Sequence, residues 1–321
     1  MHPLELKDRA VPKINVDSTI DIAAPAERIL DVLVDFNTWP IWSPWLYMEP
    51  ETQVTYRGEV GKTGHGYDWL GSKTGSGGMT LLKSSPSRID CDLQFLKPFK
   101  SEAEVAFDIQ ALEDGQSRVT WYMKSSLPFF MFWMKPLMVG MIKSDYNRGL
   151  SLLKDYIETG SIRSSTTIDG IVDVEQVYYV GTREEVPMAE MLGSMGSSFE
   201  KMMEASTSEP FSISGSRLCL YNSIDFKTHR IDYTAAVPTF DPTPVDAPFI
   251  AAIRPACSAL KVIHAGPYRH LGNAWSLIMA EAKERKLKTL KSQPPFERYL
   301  NNPAEVDEND LLTEIYLPIK L

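Results

Sequence analysis

VYYVGTREEV, residues 177–186, returns in altered form as VIHAGPYRHL, residues 262–271, and this likeness decides the fold of the second half of the chain. In each stretch a valine precedes a glycine by four residues, Val177 before Gly181 and Val262 before Gly266, at an offset of 85 positions. Each leads into a helical run, PMAEMLGSMGSSFEKMMEA after the first and GNAWSLIMAEAKERKL after the second. An extended stretch around a tyrosine follows each helix, SRLCLYNS with Tyr221 and PFERYLNNP with Tyr299. Each copy closes on a strand-like run, HRIDYTAAV (229–237) and LLTEIYLPI (311–319). Two βαββ units predict a domain with pseudo-two-fold symmetry, its two helices lying over one antiparallel sheet. The groove on such an axis is a natural ligand site.

The first half has a different grammar. VDSTIDIAAP (16–25) alternates as a strand does and stops at Pro25, which is well placed to start the helix AERILDVLVDF. NTWPIWSPW (37–45) interleaves three tryptophans with prolines and is not expected to form regular helix. About six strand-like runs follow, from QVTYRGEV to SRVTWYMKSSL. KSDYNRGLSLLKDYIETG (143–160) repeats apolar residues at helical spacing and ends at Gly160, a C-cap residue. Strand, helix, six strands and a long helix predict a curled sheet with the last helix laid across its concave face, an α+β arrangement that encloses a cavity. Residues 161–173 are small, polar and without clear periodicity, so they are expected to be a linker. The divisions predicted are thus 1–160, a linker at 161–173, and 174–321.

At 321 residues two domains are the natural expectation. Both halves are acidic: 17 Lys and Arg against 21 Asp and Glu in 1–160, and 16 against 21 in 161–321. Without a basic run, direct nucleic-acid binding is not expected. Cys91, Cys219 and Cys257 are odd in number and far apart, which fits buried thiols in a reducing cytosol. MHPLELKDRAVPK lacks the apolar stretch of a signal peptide, so a cytoplasmic location is expected. LPFFMFWMKPLMVGMI (127–142) is shorter than a spanning helix needs and holds Lys135 and Pro136, which favours a helix lining an internal cavity over a membrane span. Its Met and Phe stripe from 129 to 141 is expected to be packing. GSKTGSGG (71–78) lacks the order of a phosphate loop and is expected to be a hairpin turn. His264 and His270 lack metal spacing, no nucleophile signature is present, and neither metal nor cofactor is expected. The residues set no oligomeric state.

Two resemblances add to this. I-x-A-P-A-E at 22–27, D-F-N-T-W-P-x-W at 35–42 and G-L-S-L-L-K at 149–154 resemble the START/polyketide-cyclase-like (SRPBCC) helix-grip family over residues 14–159. That resemblance implies a cavity for lipids, polyketides, hormones or other apolar ligands, with a few cyclases and co-chaperones among its members. G-P-Y-R-H-L, A-W, F-E-R-Y-L-N-N-P and T-E-I-Y-L-P-I, in that order over 174–321, resemble the gyrase-inhibitor-like effector-binding domain. That domain occurs alone and as the ligand-sensing half of multidrug-responsive transcription activators. The resemblance implies a glutamate at the base of an aromatic pocket for lipophilic cations, which falls on Glu297, with Tyr299 beside it. Where those activators carry a DNA-binding domain, this chain carries a second apparent ligand-binding fold.

By composition alone Glu297 belongs at the surface. Its aromatic neighbours and its place in the repeat argue for the pocket, where Tyr299 and Tyr268 could donate hydrogen bonds to a carboxylate that is costly to bury unpaired. Trp275 is a further wall residue, and Tyr221 holds the corresponding place in the first repeat. Trp39, Trp42, Trp69 and Trp121 are the ring candidates of the first half, the 39/42/45 cluster weighing evenly between core and cavity entrance. The leading expectation is a small-molecule binding protein for lipophilic, cationic or aromatic compounds. Its alternative, which the second resemblance implies because some stand-alone members are hydrolases of reactive cyclopropanoid compounds, is hydrolysis of such a molecule with Glu297 as general base and Tyr299 beside it. A third is a ligand-dependent module that signals to a separate protein.

Overall fold

The computed structural model describes residues 13–127, 129–207, 211–226 and 228–320; residues 1–12, which carry most of the leader expectation, lie outside them. The chain divides into two compact units between Ile162 and Arg163.

The first unit opens with strand β1 (Lys13–Ile22), helix α1 (Ala26–Val34) and the short helices α2 (Trp39–Trp42) and α3 (Pro44–Met48). Strands β2 (Gln53–Arg57), β3 (Gly66–Leu70), β4 (Ser76–Ser85), β5 (Arg88–Lys97), β6 (Ser101–Ala111) and β7 (Ser117–Ser126) follow, then helix α4 (Lys135–Thr159). The seven strands form one antiparallel sheet in the order β1-β7-β6-β5-β4-β3-β2. Apolar alternation explains the strands: in β1, residues 14, 16 and 22 turn inward while their neighbours face water. Gly160 ends α4 with φ of 80°, the left-handed conformation that favours glycine. This is the sheet-and-long-helix arrangement expected of a helix grip.

Aromatic rings fill much of this unit's core. Trp121 of β7 stacks on Tyr146 of α4 with centroids 4.0 Å apart and on Phe107 at 4.9 Å. Trp39 and Trp42 meet Phe107 and Trp121 edge-on. Gly149 is what lets α4 come so close. A Cβ built there would lie 2.8 Å from both Trp121 Cζ3 and Pro44 Cδ. Gly149→Val is therefore expected to lower the first unit's stability by about 1–3 kcal/mol, read from denaturant midpoints.

Three expectations need correction. NTWPIWSPW contains two helical pieces, because Pro40 and Pro44 lie in the first turns of α2 and α3, where a missing N–H costs nothing. The 127–142 segment does not form a cavity-lining helix. Phe129–Met134 is a 3-10 turn, α4 begins at Lys135, and Phe132, Trp133, Leu137 and Met141 are exposed. The 161–173 stretch is mostly strand, as described below. The glycine-rich 71–78 stretch does turn between β3 and β4, and its anion-binding geometry is satisfied from within. The N–H groups of Ser72, Lys73 and Thr74 donate to the buried Glu49 carboxylate at 2.7–3.1 Å. Burial works against ionisation there, but these donors outweigh it and hold Glu49 at about 2.

The second unit contains β8 (Ser165–Val174), β9 (Val177–Pro187), α5 (Met191–Ala205), β10 (Leu218–Asp225), β11 (Arg230–Thr239), β12 (Ile250–Arg254), β13 (Cys257–Ala265), α6 (Leu271–Glu284), β14 (Lys288–Thr289), β15 (Phe296–Tyr299) and β16 (Leu312–Lys320). Its main sheet runs β12-β9-β11-β10-β15-β16-β13-β8. The repeats appear as β9-α5-β10-β11 and β13-α6-β15-β16, and the axis passes between β10 and β15. Each repeat also has a leading strand. β8, which precedes β9, pairs with β13, while β12, which precedes β13, pairs with β9. β8 is thus part of the sheet, an edge strand whose alternate residues are half-buried. It escapes sequence pattern because its inward residues include Thr166 and Gly170.

Candidate functional site

β15 is only four residues long, yet it places the site. Successive strand side chains point to opposite faces, so Glu297 and Tyr299 share one face and Phe296 and Arg298 the other. Phe296 stacks on Tyr316 at 4.6 Å, across the sheet from the pocket, and so does not wall Glu297. The Glu297 face is covered by α5, packed on β9 and β11, and by α6, packed on β13, β8 and β16. Between the helices lies a cavity of about 630 Å³, within the range of small-molecule sites.

Glu297 forms the polar floor of this cavity and is 2% exposed. Trp275 Nε1 donates to its Oε1 at 2.6 Å, and the Tyr299 hydroxyl donates to its Oε2 at 2.5 Å. Met195 Sδ lies 3.2 Å from the same hydroxyl, but a hydroxyl has one proton and the carboxylate is the stronger acceptor. Burial pushes the Glu297 carboxyl above its usual range, while hydrogen bonds from Tyr299, Trp275 and Tyr221 pull the other way without cancelling the shift.

The walls are rings. Tyr221 meets Trp275 edge-on at 5.0 Å, Tyr268 meets Tyr299 at 5.6 Å, and Phe199 meets Tyr299 at 5.9 Å. All five second-half candidates, Tyr221, Tyr268, Trp275, Glu297 and Tyr299, therefore line one cavity. Of the two donors expected for Glu297, Tyr299 donates and Tyr268 serves instead as an aromatic wall against Tyr299, its place as donor taken by Trp275. Sequence inspection missed the wall from α5, where Met191, Met195 and Phe199 line the cavity. Their spacing of four residues on one helical face was the signal that could have found them. It also missed Arg217, whose guanidinium lies over the Phe199 ring at 5.6 Å.

The first-half candidates lie in the other unit. Trp39, Trp42 and Trp121 are at most 1% exposed and belong to its core. Trp69 is half-buried against Tyr67 and Phe95 and donates to Thr74 O at 3.3 Å. His264 and His270 are fully buried, with His264 Nε2 3.2 Å from Pro267 O. Burial lowers the His264 pKa below its ordinary value.

Residues 13–158 match the family described as polyketide cyclase / dehydrase and lipid transport, and residues 170–320 match the GyrI-like small molecule binding domain. The chain thus joins a polyketide-cyclase-like domain to a GyrI-like small-molecule-binding domain. No curated protein matches the chain. Among solved structures, it is similar to the EcmrR C-terminal domain at 20% identity and a TM-score of 0.41, over 50% of this chain and 99% of that one. It is similar to the Aha1 dimer from Colwellia psychrerythraea at 19% identity and 0.33, over 46% and 98%. It is also similar to SAV2435 bound to tetraphenylphosphonium at 15% identity and 0.36, over 48% and 94%. At these scores the likenesses carry no functional argument. No helix among the described residues is long and apolar enough to cross a membrane.

Proposed function

We propose that the second unit captures lipophilic cations, with the positive charge paired to Glu297 and the apolar groups held by the surrounding rings. One observation supports this most: a buried carboxylate at the floor of an aromatic cavity that makes no ion pair among the described residues. Its two strong hydrogen bonds come from neutral donors, so its charge is solvated but not neutralised. A bound cation would supply the missing charge, and each aromatic face would add about 0.5–2 kcal/mol.

Tetraphenylphosphonium is a suitable probe because its charge does not titrate. Calorimetric titration should show binding that strengthens with pH and levels off once Glu297 is ionised. The sign follows from the raised pKa: below it the carboxyl is neutral and offers no ion pair, and above it the pair is complete. The rise should therefore fall at higher pH than an ordinary carboxylate near 4.5 would give. No binding at any pH, with the chain folded, would sink this proposal. Hydrolysis remains the second possibility because burial also makes Glu297 a stronger base. Consumption of a cyclopropanoid electrophile by the native chain but not by Glu297→Gln would favour it.

A further inference from the structure

The first unit carries a surface that its core does not explain. Leu70, Leu96, Phe99, Trp133, Leu137 and Met141 are large apolar residues left exposed, with Phe99 at 76% and Trp133 at 67%. Sheet register brings their segments to one end of the unit. Leu70 pairs with Ser76, and Ser76 with Lys97, so the β3–β4 and β5–β6 turns lie side by side. Phe95 pairs with Ser101, and Ala103 with Ser125, which puts the β5–β6 turn beside the end of β7 and the connection into α4. From β3 to β7 this row spans about 19 Å, four strand spacings.

Charge at this end opposes that of the chain. Segments 67–76, 94–102 and 124–144 hold six lysines against Asp68 and Glu102. Glu49, bonded to the 72–74 turn, and Glu51, just before β2, add two acids, so lysines still outnumber acids here within a chain of net charge −9. Lys97 and Lys100 flank Phe99, Lys135 follows Trp133, and Lys143 follows Met141; all four lysines are exposed. Aromatic and aliphatic side chains interleaved with lysines suit the boundary between headgroups and acyl chains. A negatively charged lipid surface engages both groups at once while repelling the rest of this acidic chain, which fixes the orientation.

We propose that the first unit docks through this end onto anionic lipid surfaces, the hydrophobic tips inserting shallowly and the lysines meeting headgroups. Docking is peripheral, since no described helix can span a bilayer.

Co-sedimentation of the full chain with phosphatidylcholine vesicles, with and without phosphatidylglycerol, tests the assignment. Binding should appear with phosphatidylglycerol and weaken as salt is added. Each neutralisation among Lys97→Gln, Lys100→Gln and Lys135→Gln should reduce partitioning about fivefold, the equivalent of about 1 kcal/mol. Phe99→Ser with Trp133→Ser should reduce it at least tenfold with the thermal midpoint unchanged. Should that double variant fail to fold, the lysine variants decide, because they alter only solvated side chains. No binding to phosphatidylglycerol vesicles, or equal binding to both kinds, would overturn the proposal. A shift from dimer to monomer on gel filtration in the double variant would assign the surface to a second copy of the chain and overturn it as well.

Discussion

Glu297→Gln should weaken tetraphenylphosphonium binding by about 2–4 kcal/mol, roughly 30- to 1,000-fold, while an uncharged aromatic analogue of similar size binds as before. The amide is nearly isosteric with the carboxyl, and its oxygen can still accept from Trp275 Nε1. Its NH₂ would then face the Tyr299 hydroxyl, which can rotate to accept. The cage of Tyr221, Trp275, Tyr268 and Phe199 is untouched, so loss confined to charged ligands isolates the ion pair. Stability should move the other way. A carboxyl whose folded pKa is raised favours folding most while protonated and loses that advantage as pH climbs past the ordinary carboxylate range. The amide carries no such cost, so the variant should melt at the same temperature as the native chain or higher at neutral pH. Equal losses for charged and neutral ligands would mean that the cavity had been reshaped and that Glu297 has no electrostatic role.

Trp121→Ala should destabilise the first unit by about 3–5 kcal/mol, read from denaturant unfolding. The ring is 1% exposed and touches Trp39, Trp42, Trp45, Phe107 and Tyr146, so truncation removes the shared partner of five other rings. Relaxation cannot refill such a site, because the neighbouring side chains are themselves large and rigid. Trp121→Phe is the control. It keeps an aromatic face for Tyr146 and removes an indole N–H that has no hydrogen-bond partner among the described residues, so its cost should be far smaller. Small effects from both substitutions would mean that this interior is loosely filled.

The repeat was legible because both copies kept their periodicity and spacing, and it led directly to the β9-α5-β10-β11 and β13-α6-β15-β16 halves. Glu297 and Tyr299 were legible as a pair through the F-E-R-Y-L-N-N-P block, and the alternation of a strand explains why i and i+2 face the same cavity. That alternation puts Phe296, one of the aromatic neighbours that argued for a pocket, on the opposite face. β8 was not legible because an edge strand with Thr and Gly among its inward positions reads like a linker, and only pairing with β13 shows its role. The tryptophans of the first unit could not be sorted from sequence, since a ring contributes the same apolar area to a core as to a cavity wall. The burial of Trp121 depends on α4 coming close at Gly149, a tertiary fact.

The β10–β15 axis sets Cys219 directly opposite Glu297. The offset between them, 78 positions, is also that between Tyr221 and Tyr299, so the thiol occupies the place in the first repeat that the acid holds in the second. Two identical halves would have set acid against acid across the central strand pair, and such neighbours tend to share one proton rather than ionise together. A thiol in place of a second acid avoids that conflict. One copy gives up its acid for a small, neutral side chain, and the other holds the only carboxylate of the pair. On the proposed reading, this asymmetry lets the cavity orient a guest with one charged end even though the scaffold looks the same from either side.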